Sequence, residues 1–252
     1  MKINYRPHID GLRGIAIILI ILSHFKELSF VSGGVNIFFV ISGYLISHIV
    51  VKSDFKIIKF YSSRFQKLYP QIFLVATLTL IFFILFGNFD KWLIIIRSYG
   101  YTIFGLMNIF LIKMGNVYSL QNFINPFLPF WAFGVIIQFY LIYPIFLKTI
   151  FILKKKFNFN SNFIILTTLV TSILFFLLFY VFKDKVIFNF YSPLSRYWQF
   201  FLGGFLFFLL NYKKDKYFKN VSSYIGLFLL VIWQLDFNIF HNYRNASFLI
   251  TI

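Results

Sequence analysis

The sequence predicts an all-α fold, a polytopic bundle of about 8 to 10 transmembrane helices, and two observations support this. Of its 252 residues, 60% are hydrophobic and only 12% are charged, whereas soluble domains have about 25% charged residues. Apolar runs of about 17 to 22 residues recur along the whole chain, and each can cross a hydrocarbon core of about 30 Å. We therefore expect residues 1–252 to form a single membrane-embedded domain.

Charge is distributed in short lysine-rich clusters between the apolar runs. The formal net charge is +17, and the main clusters are residues 52–69, 154–156 and 213–219. Basic segments beside membrane helices mark the cytoplasmic side, which explains the clusters better than nucleic-acid binding does. The expected location is the inner (cytoplasmic) membrane, with the lipid bilayer as a partner and the N-terminus in the cytoplasm.

Several kinds of chemistry are excluded or unsupported. The chain has no cysteine, which excludes disulfides, thiolate catalysis and cysteine metal sites. Its seven acids and four histidines show no metal-ligand spacing, so no metal site is expected.

The first apolar segment, residues 5–25, carries Arg13 near one end and His24 near the other. Eleven positions at about 100° and 1.5 Å per residue place both side chains on nearly the same helix face, roughly 16 Å apart. Ionisable groups inside a bilayer are costly, and this indicates function. The simpler alternative is that Arg13 snorkels or pairs with Asp10, while His24 is an ordinary residue near the far interface.

This segment resembles the opening signature of a known family. Arg13, ten intervening residues and His24, preceded by Tyr5-Arg-Pro7 and Ile9-Asp-Gly-Leu12, are similar to the acyltransferase-3 family of multi-pass membrane proteins. Its members move acyl groups, usually acetyl, from cytoplasmic acyl-CoA to sugars outside the membrane, such as O-antigen, capsule or peptidoglycan units. The resemblance implies acyl-CoA as donor substrate, no permanently bound cofactor, and a glycan or lipid-linked sugar as acceptor.

Such a transfer requires a general base for the hydroxyl and positive charge near the developing oxyanion. His24 is the best candidate base because an imidazole titrates near neutral pH. Arg13 is a candidate for holding a phosphate or carbonyl of the donor, with Asp10 as its partner. The competing histidines are His8, His48 and His241.

The second segment, residues 32–48, contains Gly33, Gly34 and Gly43, which allow close helix approach. We expect it to pack against the first helix. It is also similar to a family block in which the position of Asn36 is commonly an aspartate.

Residues 52–69 are expected to be a basic, non-spanning cytoplasmic stretch before the third helix. Its end resembles the Arg-x-x-Arg loop of the family. Arg64 stands at the position of the first arginine, and Lys67 stands at the position of the second. The resemblance implies contact with the phosphates of acyl-CoA. A plain positive-inside anchor is an equal alternative.

Two further apolar runs, residues 71–86 and 92–112, surround a short polar turn and predict a helical hairpin. Residues 113–129 are polar and contain Gly115, Pro126 and Pro129, so we expect a loop or a re-entrant element there.

The fifth segment, residues 131–144, resembles another family block. Two adjacent glutamates normally precede its Gln-Phe-Tyr, but Ile136 and Ile137 stand there in this chain. If a family glutamate orients the substrate or the imidazole, Gln138 or Tyr140 must do so here.

After an apolar run at residues 163–182, residues 191–204 again look like the family, with Gln199 where a glutamate is common. We assign Arg196 of this block, together with Asn36, Gln138 and Tyr140, to a supporting group around the site. The final apolar run begins near Ala246 as the chain stops, so a truncated copy is expected. Placing every lysine cluster in the cytoplasm requires an even number of crossings between residues 69 and 154, but three runs are visible.

Two hypotheses remain. Arg13, His24, Asp10 and Arg64 favour an active O-acyltransferase, because a scaffold would lose such costly charges. The neutral residues at positions 136, 137 and 199 favour an inactive relative that acts as a scaffold, binding or transport protein.

Overall fold

The structure, a computed structural model, describes residues 7–23, 33–51, 55–87, 92–115 and 125–212. All regular elements in these ranges are helical, which confirms the predicted all-α fold. They are α1 Pro7–Ser23, α2 Gly34–Val50, α3 Ile57–Phe86, α4 Trp92–Ile103, α5 Met107–Met114, a 3-10 helix Leu128–Phe130, α6 Trp131–Lys156, α7 Asn162–Val181, α8 Val186–Tyr191 and α9 Pro193–Tyr212. The apolar runs predicted after residue 212 lie outside the described residues.

Several of these helices have the length and composition of membrane spans. The segments that qualify among the described residues are Ile57–Phe86, Leu128–Lys156 and Asn162–Val181. Large apolar side chains on α3, including Phe82 and Leu85, are exposed, as on a surface that faces lipid tails. The predicted membrane helix bundle is confirmed, and the number of spans beyond these three segments stays a prediction.

Helices α2, α6 and α9 form the centre of the bundle and run in the same direction. The ring of Phe200 on α9 stacks on Phe39 of α2 at 4.6 Å and on Phe139 of α6 at 4.0 Å between centroids. Nearer the C-terminal ends of the helices, His48 of α2 packs against Phe207 of α9, and Phe151 of α6 packs against Phe208 of α9. The three helices are therefore parallel.

The crossing of α2 and α9 depends on glycine. A Cβ at Gly43 would overlap the carbonyl of Phe200, and one at Gly203 would overlap the carbonyl of Val40. Both backbones therefore approach more closely than any larger residue allows, which is typical of small-residue packing in membranes. The predicted packing role of Gly43 is confirmed.

Two more helices flank this centre in the opposite direction. Helix α1 packs on α2, where Gly34 lies against Ala16 and Ile20, as predicted for the first two segments. Helix α7 packs on α9, and Ser172 Oγ donates a hydrogen bond to the carbonyl of Trp198 at 2.9 Å.

Helix α3 corrects one prediction. Residues 57–69, expected to precede the third helix as part of the basic stretch 52–69, form the first part of α3, which continues through Pro70 to Phe86. A proline removes one backbone hydrogen bond, but membrane helices tolerate it through local adjustment. The basic residues of this stretch consequently lie on a helix rather than in a loop.

The predicted single run at residues 92–112 is divided into α4 and α5. The chain turns at Gly105, which has a φ of 66° that favours glycine. The rings of Tyr101 and Phe110 then meet across the turn at 4.9 Å. Ser98 on α4 accepts a hydrogen bond from Asn125, which precedes α6. The turn at Gly105 instead lies beside Gln138, which is further along α6. The two helices thus form a hairpin whose turn points along α6 towards its middle.

Candidate functional site

The first predicted pair lies on α1. Arg13 Nη1 donates a hydrogen bond to Asp10 Oδ1 at 3.3 Å, as the simpler alternative expected. The two side chains are 42% and 47% exposed on the surface of the bundle. The guanidinium and the carboxylate both remain accessible for contact with a ligand.

His24, the predicted general base, lies outside the described residues, which end in this region at Ser23. Its position on the same face as Arg13 therefore stays a prediction.

Asn36 and Gln199 join α2 to α9. Gln199 Nε2 donates to Asn36 Oδ1 at 2.9 Å, and Gln199 is 1% exposed. Its Oε1 is buried and accepts no hydrogen bond from the described residues. A neutral amide pair thus occupies positions 36 and 199, where the family resemblance leads us to expect acids.

Gln138 lies in a second cluster of amides, at the turn of the α4–α5 hairpin. Gln138 Nε2 donates to Asn108 Oδ1 at 2.9 Å and to the carbonyl of Gly105 at 3.3 Å. Asn108 Nδ2 donates to Gln138 Oε1 and to the carbonyl of Tyr191, both at 3.3 Å. This cluster links α5, α6 and α8.

Sequence reasoning missed Asn108, which is fully buried at 0% exposure. The available signal was its position: it is an amide within the apolar run at residues 92–112, and a polar group in a membrane helix requires a partner. Beside this cluster, the side chain of Ile137 lies against Gly105.

Arg64 and Tyr140 are brought together between α3 and α6. The Arg64 guanidinium carbon lies 5.3 Å from the centroid of Phe60 and 5.5 Å from that of Tyr140, within the range of a cation–π interaction. Next to it, Tyr61 OH donates to the carbonyl of Leu141 at 2.7 Å. Arg64 is thus half-buried beside two aromatic rings, whereas the Lys67 side chain is exposed.

Arg196 lies in the first turn of α9. Its Nε donates to the carbonyl of Phe190 at 2.9 Å, and its guanidinium carbon lies 4.9 Å from the ring centroid of Phe190 and 5.8 Å from that of Trp131. Phe190 and Tyr191 are consecutive in α8, so α8 connects Arg196 to the Asn108 cluster.

The described ranges contain no group of three or more His, Asp or Glu residues that could hold a metal ion. The polar groups that the structure brings together are amides, hydroxyls, cations and the Asp10 carboxylate, groups that can form hydrogen bonds and ion pairs.

Comparison with known proteins points to one family. A family model described as an acyltransferase domain matches residues 6–252. A protein of Staphylococcus aureus strain MSSA476 named "Putative O-acetyltransferase" is 32% identical over 166 residues, which cover 62% of this chain and 27% of that protein. O-acetyltransferase OatA of S. aureus strain NCTC 8325 is 31% identical over 150 residues, 56% of this chain and 24% of OatA.

The chain spans about a quarter of the length of these curated relatives, 27% for the first of them. No solved structure shows a significant match.

Proposed function

The chain belongs to the acyltransferase-3 family, and on this premise we propose that it transfers an acyl group, most readily acetyl, from cytoplasmic acyl-CoA to a sugar hydroxyl of a cell-surface glycan. The observation that carries the proposal is the match to the family over residues 6–252. The names of its relatives, which are O-acetyltransferases, support acetyl as the group and oxygen as the acceptor atom.

In the proposed reaction the sugar hydroxyl oxygen attacks the thioester carbonyl of the donor. His24 takes the hydroxyl proton, and the tetrahedral oxyanion collapses with expulsion of the CoA thiolate, which receives that proton from the His24 imidazolium and leaves as CoA thiol. Arg13 supplies positive charge towards the donor, and Asp10 holds its guanidinium, in keeping with the 3.3 Å contact between them.

Donor binding falls to Arg64 and Lys67 in this scheme. The two aromatic rings beside Arg64 keep its guanidinium in place, and a fixed guanidinium is suited to bidentate recognition of a phosphate. Lys67, three positions later and exposed, adds a second cation as a point charge.

The supporting residues hold the helices that carry these groups. Asn36 joins α2 to α9, and Gln138 joins α6 to the hairpin. Tyr140 holds Arg64, and Arg196 joins α9 to α8. In this assignment, hydrogen bonds between neutral amides replace the family carboxylates as positioning contacts.

Orientation follows from the lysine clusters. We place the protein in the cytoplasmic membrane with its N-terminus inside.

Helices α4 and α5, with 12 and 8 residues, are about 18 and 12 Å long and cannot each cross a core of about 30 Å. If the α4–α5 hairpin is re-entrant, so that it enters and leaves the membrane on the outer side, only α3 and α6 cross the membrane between residues 69 and 154. All three lysine clusters then lie in the cytoplasm.

The test is acetyl transfer from radiolabelled acetyl-CoA to cell-envelope glycans in membranes that contain the protein. We expect label above background, and its loss with His24→Ala at equal protein abundance. His241→Ala serves as the matched control and is expected to retain activity. If the His24→Ala variant still transfers acetyl groups, His24 is not the general base.

The alternative is an inactive family member that acts as a scaffold, binding or transport protein. One observation favours it: Gln199 and Asn36 bond to each other at positions of family acids. Wild-type membranes that give no label with several donors and acceptors, although the protein is correctly inserted, would support this alternative.

A further inference from the structure

The charge of Arg196 is without a carboxylate partner among the described residues. The acids in those ranges are Asp10, which pairs with Arg13 on α1, and Asp184, which is exposed after α7. Arg196 itself is half-buried between aromatic rings. A cation in such surroundings is costly unless an anion compensates it.

The guanidinium is also held in one orientation. Its Nε–H is used by the carbonyl of Phe190, and the rings of Phe190 and Trp131 lie within 6 Å of its central carbon. The two terminal nitrogens form no hydrogen bond with the described residues. They present a planar pair of donors, the geometry that matches a carboxylate or phosphate.

The position of Arg196 indicates which substrate would supply the anion. It lies at the ends of the bundle where α6 and α9 begin, and the lysines at positions 154, 155 and 156 lie at the opposite end of α6. In the orientation proposed above, Arg196 therefore lies in the outer half of the protein, away from the phosphates of acyl-CoA.

We propose that Arg196, held by Phe190 and Trp131, is an anion-binding subsite for the acceptor, which consequently carries an anionic group. The anion is either a carboxylate on an acidic sugar or the phosphate that links a glycan to its lipid carrier. This inference deepens the proposed function and rests on it for the identity of the acceptor.

The first experiment measures transfer to two acceptors that differ only in charge, a uronic acid oligosaccharide and its neutral counterpart. We expect Arg196→Ala to raise KM for the acidic acceptor by about tenfold to a hundredfold, the value of a lost charged hydrogen bond, and to leave KM for the neutral one unchanged. Arg196→Lys, which keeps the charge without the planar fork, should fall between them.

Lys183→Ala is the matched control, because Lys183 is an exposed cation at the same end of the bundle, beside the ring of Tyr180. Its KM values should equal those of the wild type. An equal loss on both acceptors in Arg196→Ala and Arg196→Lys would overturn the proposal. So would no loss on either acceptor, if the wild type also shows no Arg196-dependent binding of polyprenyl phosphate.

A binding measurement separates this proposal from the proposed function. Thermal unfolding of the purified protein is followed with the uronic acid oligosaccharide, its neutral counterpart or a polyprenyl phosphate. Stabilisation by the oligosaccharide alone identifies a sugar carboxylate, and stabilisation by the polyprenyl phosphate alone identifies a carrier phosphate; either must disappear in Arg196→Ala. If the protein binds such an anion through Arg196 but transfers no acyl group, the proposed function fails and the subsite remains.

An internal ion pair would also overturn the proposal. Five of the seven acids lie outside the described residues, among them Glu27. If no anion stabilises the protein, and if replacing one of these acids by its amide lowers the melting temperature as much as Arg196→Ala does, that acid is the partner of Arg196.

Discussion

At the scale of single residues, two hydrogen-bonded pairs of neutral amides join helices of the bundle. Gln199 bonds to Asn36 across α2 and α9, and Gln138 bonds to Asn108 across α6 and α5. An ionised carboxylate at these buried positions would carry a charge that an apolar environment disfavours. The amides keep the contacts between helices without that charge.

The Asn36–Gln199 pair gives a prediction at this scale. A double-mutant cycle with Asn36→Leu, Gln199→Leu and the double variant should give a coupling of about 0.6 kcal/mol, the average for interhelical hydrogen bonds in a membrane. Thermal unfolding in detergent measures it. Additive effects of the two substitutions would contradict the hydrogen bond.

Arg64 gives a second residue-scale prediction. Because its guanidinium is fixed between Phe60 and Tyr140, Arg64→Ala should raise KM for acyl-CoA by about tenfold, the effect of losing one charged contact of about 1.4 kcal/mol. Lys59→Ala, an exposed cation earlier on the same helix, is the control and should leave KM unchanged. Equal effects of the two substitutions would indicate a general electrostatic role for α3.

At the scale of elements, the α2–α9 crossing determines how the centre of the bundle packs. Gly43 and Gly203 each face a backbone carbonyl of the opposite helix. Backbone cannot move aside as a flexible side chain can, so even one methyl group at these positions must separate the helices. The aromatic contacts of Phe39 and Phe200 depend on the same spacing.

The crossing predicts different outcomes for two similar substitutions. Gly203→Ala should lower stability by about 1 to 3 kcal/mol through overpacking. Gly100→Ala on α4 should be neutral or slightly stabilising, because nothing lies within 4 Å of its added Cβ and alanine favours helices. Melting temperatures of the two variants in one detergent test this, and equal melting temperatures would contradict the close approach.

At the scale of the whole molecule, the α4–α5 hairpin determines the topology. Its turn lies beside Gln138 in α6, and its two arms lead back towards the end at which α6 begins. If the hairpin is re-entrant, as proposed, an even number of crossings separates the lysine clusters. If α4 and α5 together crossed the membrane, Lys113 would lie on the cytoplasmic side.

Labelling of single cysteines distinguishes these topologies, since the natural sequence has none. We expect Lys113→Cys to react with an impermeant thiol reagent from outside intact cells. Lys155→Cys should react only after the membrane is opened, and the cysteine-free protein should give no label. Protection of Lys113→Cys in intact cells, together with labelling after opening, would refute the re-entrant hairpin.

The sequence by itself determined the all-α membrane fold, the positions of most apolar runs and the family resemblance, because these depend on local composition and on short motifs such as Arg13 to His24. It placed Gln138, Tyr140 and Arg196 in resembling blocks but could not give their partners. The expected start of α3 and the undivided run at residues 92–112 were wrong, because short-range patterns did not resolve the course of the helix through Pro70 or the turn at Gly105.

Only the tertiary structure decided which residues meet: Asn36 with Gln199, Asn108 with Gln138, and Arg64 with Tyr140. The physical reason is that lipid is as apolar as a helix interface. Along an apolar membrane helix, periodicity therefore does not distinguish the face that packs from the face that lipid covers. The partners are set by contacts between segments far apart in the chain, and these arise only when the helices assemble.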